Sequence, residues 1–217
     1  MPESRSLTIA IVDDDADSRL LASTITARAG HRPIEDDGAI GLALRLVDLA
    51  PDLVLLDLHL VGRTGAHALD EIRAEPALRD VPIIACSGAR HDDDVFIAVS
   101  DLVRAHVPKP VEPDRLLAAI ADATGTPVSH AEDDIAALRT RFRHGLVDRL
   151  ARIDDAVTNG DHERLTHELH RLRGAAGGYG FTHLADASAR VEHALREKQP
   201  LTDTIDRVRS IIRSLVP

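Results

Sequence analysis

Short apolar runs alternate with longer amphipathic stretches over the first half of the chain. LTIAIV (7–12), DLVLL (52–56), VPIIAC (81–86) and RAHV (104–107) are short and mostly apolar, so they read as strands. Between them ADSRLLASTITARA (16–29), AIGLALRLVDLA (39–50), GAHALDEIRAE (65–75) and DDDVFIAVSDLV (92–103) carry helical spacing, and PDRLLAAIADA (113–123) closes the series. Strands that alternate with helices predict an α/β fold, a doubly wound parallel sheet. HRPIED (31–36) is a weaker strand, and Pro33 confines it to an edge.

The pattern changes after residue 123. TGTPVSH (124–130) combines Gly, Pro and Ser without periodicity and reads as a linker. Beyond it every segment is helical: Leu146, Leu150, Ile153 and Val157 recur on one face, as do Leu165, Leu169 and Leu172 after the turn TNGD. LADASARVEHAL and TIDRVRSIIRSL add two further helices, and the short connections predict an antiparallel, four-helix-type bundle. The organisation is an α/β domain over 5–123, a linker, and an all-α domain over 131–217.

Charge narrows the choice of partner. The 217 residues carry a formal net charge of -10, and all the excess acid lies in residues 1–125, with 22 acidic and 12 basic groups, against 14 of each in 126–217. A nucleic-acid partner needs a basic footprint and stacking aromatics, so none is expected. No apolar run reaches the ~20 residues of a membrane span, and MPESRSLTIA lacks the layout of a secretion signal, so neither a membrane nor export is expected and the location reads as cytoplasmic. Cys86, the single cysteine, reads as a buried core thiol.

In an open parallel sheet, ligands sit beyond the carboxyl ends of the strands. Those ends carry Asp13, Asp14 and Asp15, then Asp57, Ser87 and Lys109. Carboxylates with one lysine make a hard-oxygen site that suits Mg2+. Aspartates after a strand also cap helices, a competing reading for the triplet.

IVDDD, LLDLHL with Gly65 eight residues after Asp57, IIACSG and VPKP, in this order, resemble the receiver domain of bacterial response regulators over residues 5 to 123. The resemblance implies a flavodoxin-like (βα)5 fold with Asp57 as phosphoacceptor. It implies Mg2+ held by Asp13, Asp14, Asp57 and the backbone carbonyl of His59, with Ser87 and Lys109 on the phosphoryl oxygens. Phosphoryl transfer asks mainly for positioning and charge neutralisation, which these groups supply. Two positions depart from the family pattern: Val61 replaces a common proline, and His106 takes the place of the frequent switch aromatic or is simply a half-buried strand residue. A rival reading takes IVDDD as the D-x-D motif of haloacid-dehalogenase-like phosphatases, with Asp13 as nucleophile and Asp15 as acid. It leaves Asp57 unexplained.

HELHRLRGAAGGYGF (167–181) places Gly174, Gly177, Gly178 and Gly180 after His170, although each glycine in a helix costs about 1 kcal/mol. Leu165, Leu169, Leu172 and Ala176 form an apolar stripe. His170 points outward at its edge, with Gly174 and Gly177 keeping the flank around the imidazole clear. Close packing of a neighbouring helix is the alternative use of such glycines. H-x-L-R-G with the later Gly180 and a VE pair resembles a histidine-containing phosphotransfer domain over 132–216, which implies that His170 is phosphorylated and that Arg173 stands for the usual lysine. Imidazole suits that role because it is nucleophilic near neutral pH. Zinc binding by His167 and His170 with His162 or Glu163 is a weaker alternative.

Both halves point to one function, a two-component phosphorelay intermediate with a sensor histidine kinase and other receiver or phosphotransfer proteins as partners. It is not a kinase, since no glycine-rich ATP-binding box is visible. The alternative is a phosphorylation-switched binding module whose bundle docks on a kinase or regulator without carrying phosphate.

Overall fold

The computed structural model describes residues 5–60, 62–88, 99–126 and 135–216. The chain divides into two compact units, Met1–Glu132 and Asp133–Pro217. The first begins with β1 (Thr8–Val12), α1 (Ala16–Arg28), β2 (Arg32–Asp36), α2 (Leu42–Leu49) and β3 (Leu53–Asp57). A short antiparallel hairpin of β4 (His59–Leu60) and β5 (Arg63–Thr64) follows, then α3 (Gly65–Ala74), β6 (Ile83–Ser87), β7 (Ala105–Pro108) and α4 (Pro113–Thr124). The expected strands and helices all appear within a few residues of their sequence limits, apart from the expected helix over 92–103. Residues 92–98 of that segment lie outside the described residues, and 100–102 form a turn.

Five strands make one parallel sheet in the order β2-β1-β3-β6-β7, with β2 at an edge as Pro33 requires. The central strands are buried along their whole length, which is why they read as continuous apolar runs. Ala10, Val12, Val54, Leu56, Ile83 and Ala85 join Leu42 and Leu46 of α2 and Leu69 and Ile72 of α3 in one core. Ile9, Ile11, Leu53, Leu55 and Ile84 alternate with them and are equally buried. By the period of two they face the opposite layer, to which α1 and α4 belong. Each such side chain contributes about 1.5–3 kcal/mol relative to exposure.

The second unit comprises α5 (Ile135–Thr158), α6 (His162–Gly178), α7 (Thr182–Arg196) and α8 (Thr202–Leu215). Asn159 and Gly160 make the turn into α6, and Asp161 caps that helix by accepting the Arg164 amide. The expected seam of α5 is corrected in one respect. Leu146 and Ile153 are fully buried, but Leu150 and Val157 are half-buried, and the core face runs through Phe142, Arg149 and Ala156 instead. Arg149 lies 4% exposed with its guanidinium 6.0 Å from the centre of the Phe142 ring, so the aromatic face accommodates a cation that a pattern of apolar residues does not reveal.

Two features give tests of this packing. Gly65 opens α3 directly behind the hairpin, and its amide donates to the Leu58 carbonyl at 2.8 Å. A Cβ there would lie 2.3 Å from Leu58 Cα, against backbone that has no room to move. Gly65→Ala is expected to cost about 1–3 kcal/mol in urea unfolding, and an unchanged midpoint would contradict the close approach. His31 is 5% exposed and its Nδ1 accepts the Leu7 amide at 3.4 Å, which puts the ring proton on Nε2. Burial lowers its pKa from 6.5. Below pH 6.5 the unfolded chain therefore binds a proton that the folded one refuses, and stability falls with falling pH until the lowered folded pKa is passed. Thermal unfolding between about pH 7.5 and 5 should show His31→Gln losing less stability than wild type across that window.

Candidate functional site

The register of the parallel strands brings distant residues to one end of the sheet. Asp13 follows β1, Asp57 ends β3, Ser87 ends β6, and Lys109 follows β7, with Asp57 opposite Cys86 and Ser87 opposite Pro108. Lys109 Nζ donates to Asp13 Oδ2 and to Asp57 Oδ2, both at 2.6 Å, and its backbone amide donates to the Ser87 carbonyl at 2.8 Å. The other oxygen of Asp57, Oδ1, accepts the amide of His59 at 3.0 Å, so the carboxylate is oriented from both sides. Asp13, Asp57 and Ser87 are 6%, 2% and 0% exposed.

Burial pushes the Asp13 carboxyl up to about 7; the Lys109 ammonium opposes the shift and the Asp57 charge adds to it. Burial would lower the Lys109 pKa, but the two carboxylates outweigh it and hold the ammonium charged. The Cys86 thiol beside them is pushed up to about 12 by burial and is inert as a nucleophile.

The aspartate triplet divides its work. Asp15 is the N-cap of α1, accepting the amides of Asp17 and Ser18, while its own amide donates to Asp13 Oδ1. The capping reading thus holds for Asp15. Asp13 and Asp14 join Asp57 in a group whose ligand oxygens lie within 4.8 Å of one another, a donor set of hard oxygens that fits Mg2+. Among the described residues no other group of His, Cys, Asp and Glu has metal-binding geometry, so His162, Glu163, His167 and His170 are not brought together as a zinc site. His59 and His106 are half-buried, the latter on β7, and Val61 lies outside the described residues.

In the second unit α6 runs unbroken through Gly174, Gly177 and Gly178. Leu165, Leu169, Leu172 and Ala176 are fully buried, as the stripe requires. The outward orientation of His170 is corrected: its side chain is 14% exposed, set between Arg173 and Glu192 of α7. Gly174 is itself buried and Gly177 is half-buried, so the flank beside the imidazole is open only in part. Gly180 has a separate role. It adopts φ +82, and a Cβ there would come within 2.7 Å of Arg139 Nη2, whose guanidinium donates through Nε to the Tyr179 carbonyl at the end of α6. Glu192 is the residue that sequence reasoning passed over, although it is the second member of the VE pair. Its Oε2 accepts Arg173 Nη1 at 2.6 Å, and its Oε1 lies 3.7 Å from His170 Nδ1.

Comparison with known proteins agrees with both units. The family described as response regulator receiver domain matches residues 9–121, and the Hpt domain matches residues 137–215. The sensory/regulatory protein RpfC of Xanthomonas campestris pv. campestris is 25% identical over 215 residues, covering 84% of this chain and 30% of that protein. The sensor protein GacS of Pseudomonas syringae pv. syringae is 24% identical over 233 residues, covering 92% of this chain and 26% of that one. The chain thus spans about a third or less of these two relatives. Among solved structures, NtrX from Brucella abortus is 28% identical with a TM-score of 0.51, covering 56% of this chain and 27% of that one. The receiver domain of the Pseudomonas aeruginosa sensor histidine kinase PA1611, solved with a magnesium ion in its active-site cleft, shares the fold at 24% identity and a TM-score of 0.51, covering 56% of this chain and all of that one. The sheet order, the acidic crevice it builds and the matched residues have one explanation: the chain belongs to the response regulator receiver family and carries an Hpt domain after the receiver, the pairing of a two-component phosphorelay protein.

Proposed function

We propose that Asp57 accepts a phosphoryl group from a sensor histidine kinase and that His170 carries one to or from a receiver, in the cytoplasm. The observation that carries this reading is Lys109 bridging Asp13 and Asp57 at 2.6 Å each, beside the buried Ser87. Asp57 Oδ2 is the attacking atom: it forms the O–P bond as the P–N bond to the donor histidine breaks. Lys109, already on that oxygen, follows the charge onto the phosphoryl group, and the Ser87 hydroxyl donates to a second phosphoryl oxygen. The His59 amide on Oδ1 keeps the carboxylate aimed. Asp13, Asp14, Asp57 and the carbonyl of His59 are the groups that would hold Mg2+, as the PA1611 receiver holds magnesium in its own cleft. When bound, the ion supplies positive charge to the acids and to the phosphoryl oxygens.

Two outcomes are expected. Incubation with acetyl phosphate and Mg2+ should label the wild-type chain with hydroxylamine-sensitive acyl phosphate, whereas Asp57→Asn and a chelated sample should stay unlabelled. Equal labelling in all three would overturn the assignment. Lys109→Met leaves two buried carboxylates facing each other, so in chelator it should lose about 3–5 kcal/mol in urea unfolding. Addition of Asp13→Asn should recover most of that loss, and a single variant as stable as wild type would show that Lys109 does not neutralise the crevice.

A further inference from the structure

Asp13 and Asp14 stand on the short loop between β1 and α1, and that loop is held by a cation outside their own group. Arg19 lies in the first turn of α1, and its Nη1 donates to the Asp13 carbonyl at 2.5 Å, a charge-assisted bond. The Arg19 side chain is 17% exposed, and its Nε lies 3.6 Å from Glu35 Oε2 on β2. Glu35 is fixed in turn, because the hydroxyl of Ser23, one turn further along α1, donates to its Oε1 at 2.7 Å. On the other side of Asp13, its amide donates to the Asp36 carbonyl at 3.2 Å. Both peptides of Asp13 are thus tied to β2, one directly and one through Arg19 and Glu35.

The carbonyl of Asp13 and the amide of Asp14 belong to one planar peptide, so whatever grips that carbonyl sets the direction in which the Asp14 side chain leaves the loop. The Asp13 carboxylate has restraints of its own, since Lys109 holds Oδ2 and the Asp15 amide holds Oδ1. Asp14 is half-buried, and its carboxylate comes within 4.8 Å of the ligand oxygens of Asp13 and Asp57. We propose that Arg19 is a positioning residue for the Mg2+ site: through the Asp13 carbonyl it aims Asp14 at the ion, while Glu35 and Ser23 keep the guanidinium in place. The proposal rests on the reading of Asp13, Asp14 and Asp57 as groups that hold Mg2+. Charge alone predicts the opposite effect, because a guanidinium beside the crevice repels a divalent cation and its removal would tighten binding. Positioning predicts that removal weakens binding, so the sign separates the two.

The test is a calorimetric titration of the full chain with MgCl2. Arg19→Met should bind Mg2+ about 10–100-fold more weakly than wild type, the range found when a group that orients a metal ligand is removed. Arg19→Lys should lose less, because its ammonium can still donate to the Asp13 carbonyl. Where Arg19→Met does not fold, Arg19→Gln takes its place, since it removes the charge and keeps a polar side chain. Amide NMR in chelator supplies a second readout: Arg19→Met should move the Asp14 resonance and leave that of His59, whose amide is held by Asp57 Oδ1, where it is. A general loss of structure would move both. Mg2+ binding in Arg19→Met that is unchanged or tighter would overturn the proposal, and so would an equal loss in Arg19→Lys. A wild-type chain that binds no Mg2+, or an Asp14→Ala variant that binds it as well as wild type, would instead overturn the reading of the metal site beneath it.

Discussion

Two carboxylates cannot share a dry crevice without a cation, and the first unit is arranged around that constraint. Asp13 and Asp57 reach the same point because β1 and β3 are neighbours in register, and Lys109 reaches it because β7 ends level with β6. The sheet therefore fixes the separation of three charges to within a hydrogen bond, and burial there raises the pKa of Asp13. Groups hydrogen-bonded in place in this way limit the reorganisation that phosphoryl transfer would otherwise require.

The bundle meets the same constraint with arginines. Arg152 covers the buried Glu168, Arg173 covers Glu192, and Arg149 lies against an aromatic ring. Two more arginines on α5 close helix ends: Arg139 on the Tyr179 carbonyl and Arg143 on that of Leu215. Planar, multiply donating guanidinium groups suit these positions, where one side chain must satisfy an oxygen at a helix end or a carboxylate at a helix crossing.

Much of this is readable in the amino-acid sequence. Strands buried on both faces leave uninterrupted apolar runs, and the residues at their carboxyl ends announce the crevice, so Asp57, Ser87 and Lys109 were legible. The roles within the aspartate triplet were not, because capping and metal binding ask for the same side chain, and only the Asp17 and Ser18 amides separate Asp15 from its neighbours. Arg149 escaped notice because an arginine on a core face breaks the apolar pattern that defines the face. Glu192 and the burial of Gly174 depend on how α7 lies along α6, a tertiary fact with no periodic signature. The two-residue strands of the 59–64 hairpin are too short for any period to register.

Pro33 has an effect beyond the fold of its own strand. Arg32 donates its amide inward to the Leu7 carbonyl, so by alternation the position of Pro33 faces the open margin of the sheet. At that margin the ring nitrogen carries no hydrogen. A strand approaching from solvent would find a gap in the ladder at Pro33. The ladder is thereby interrupted on this side, which opposes growth of the sheet by β-addition and with it one route to fibrous self-assembly.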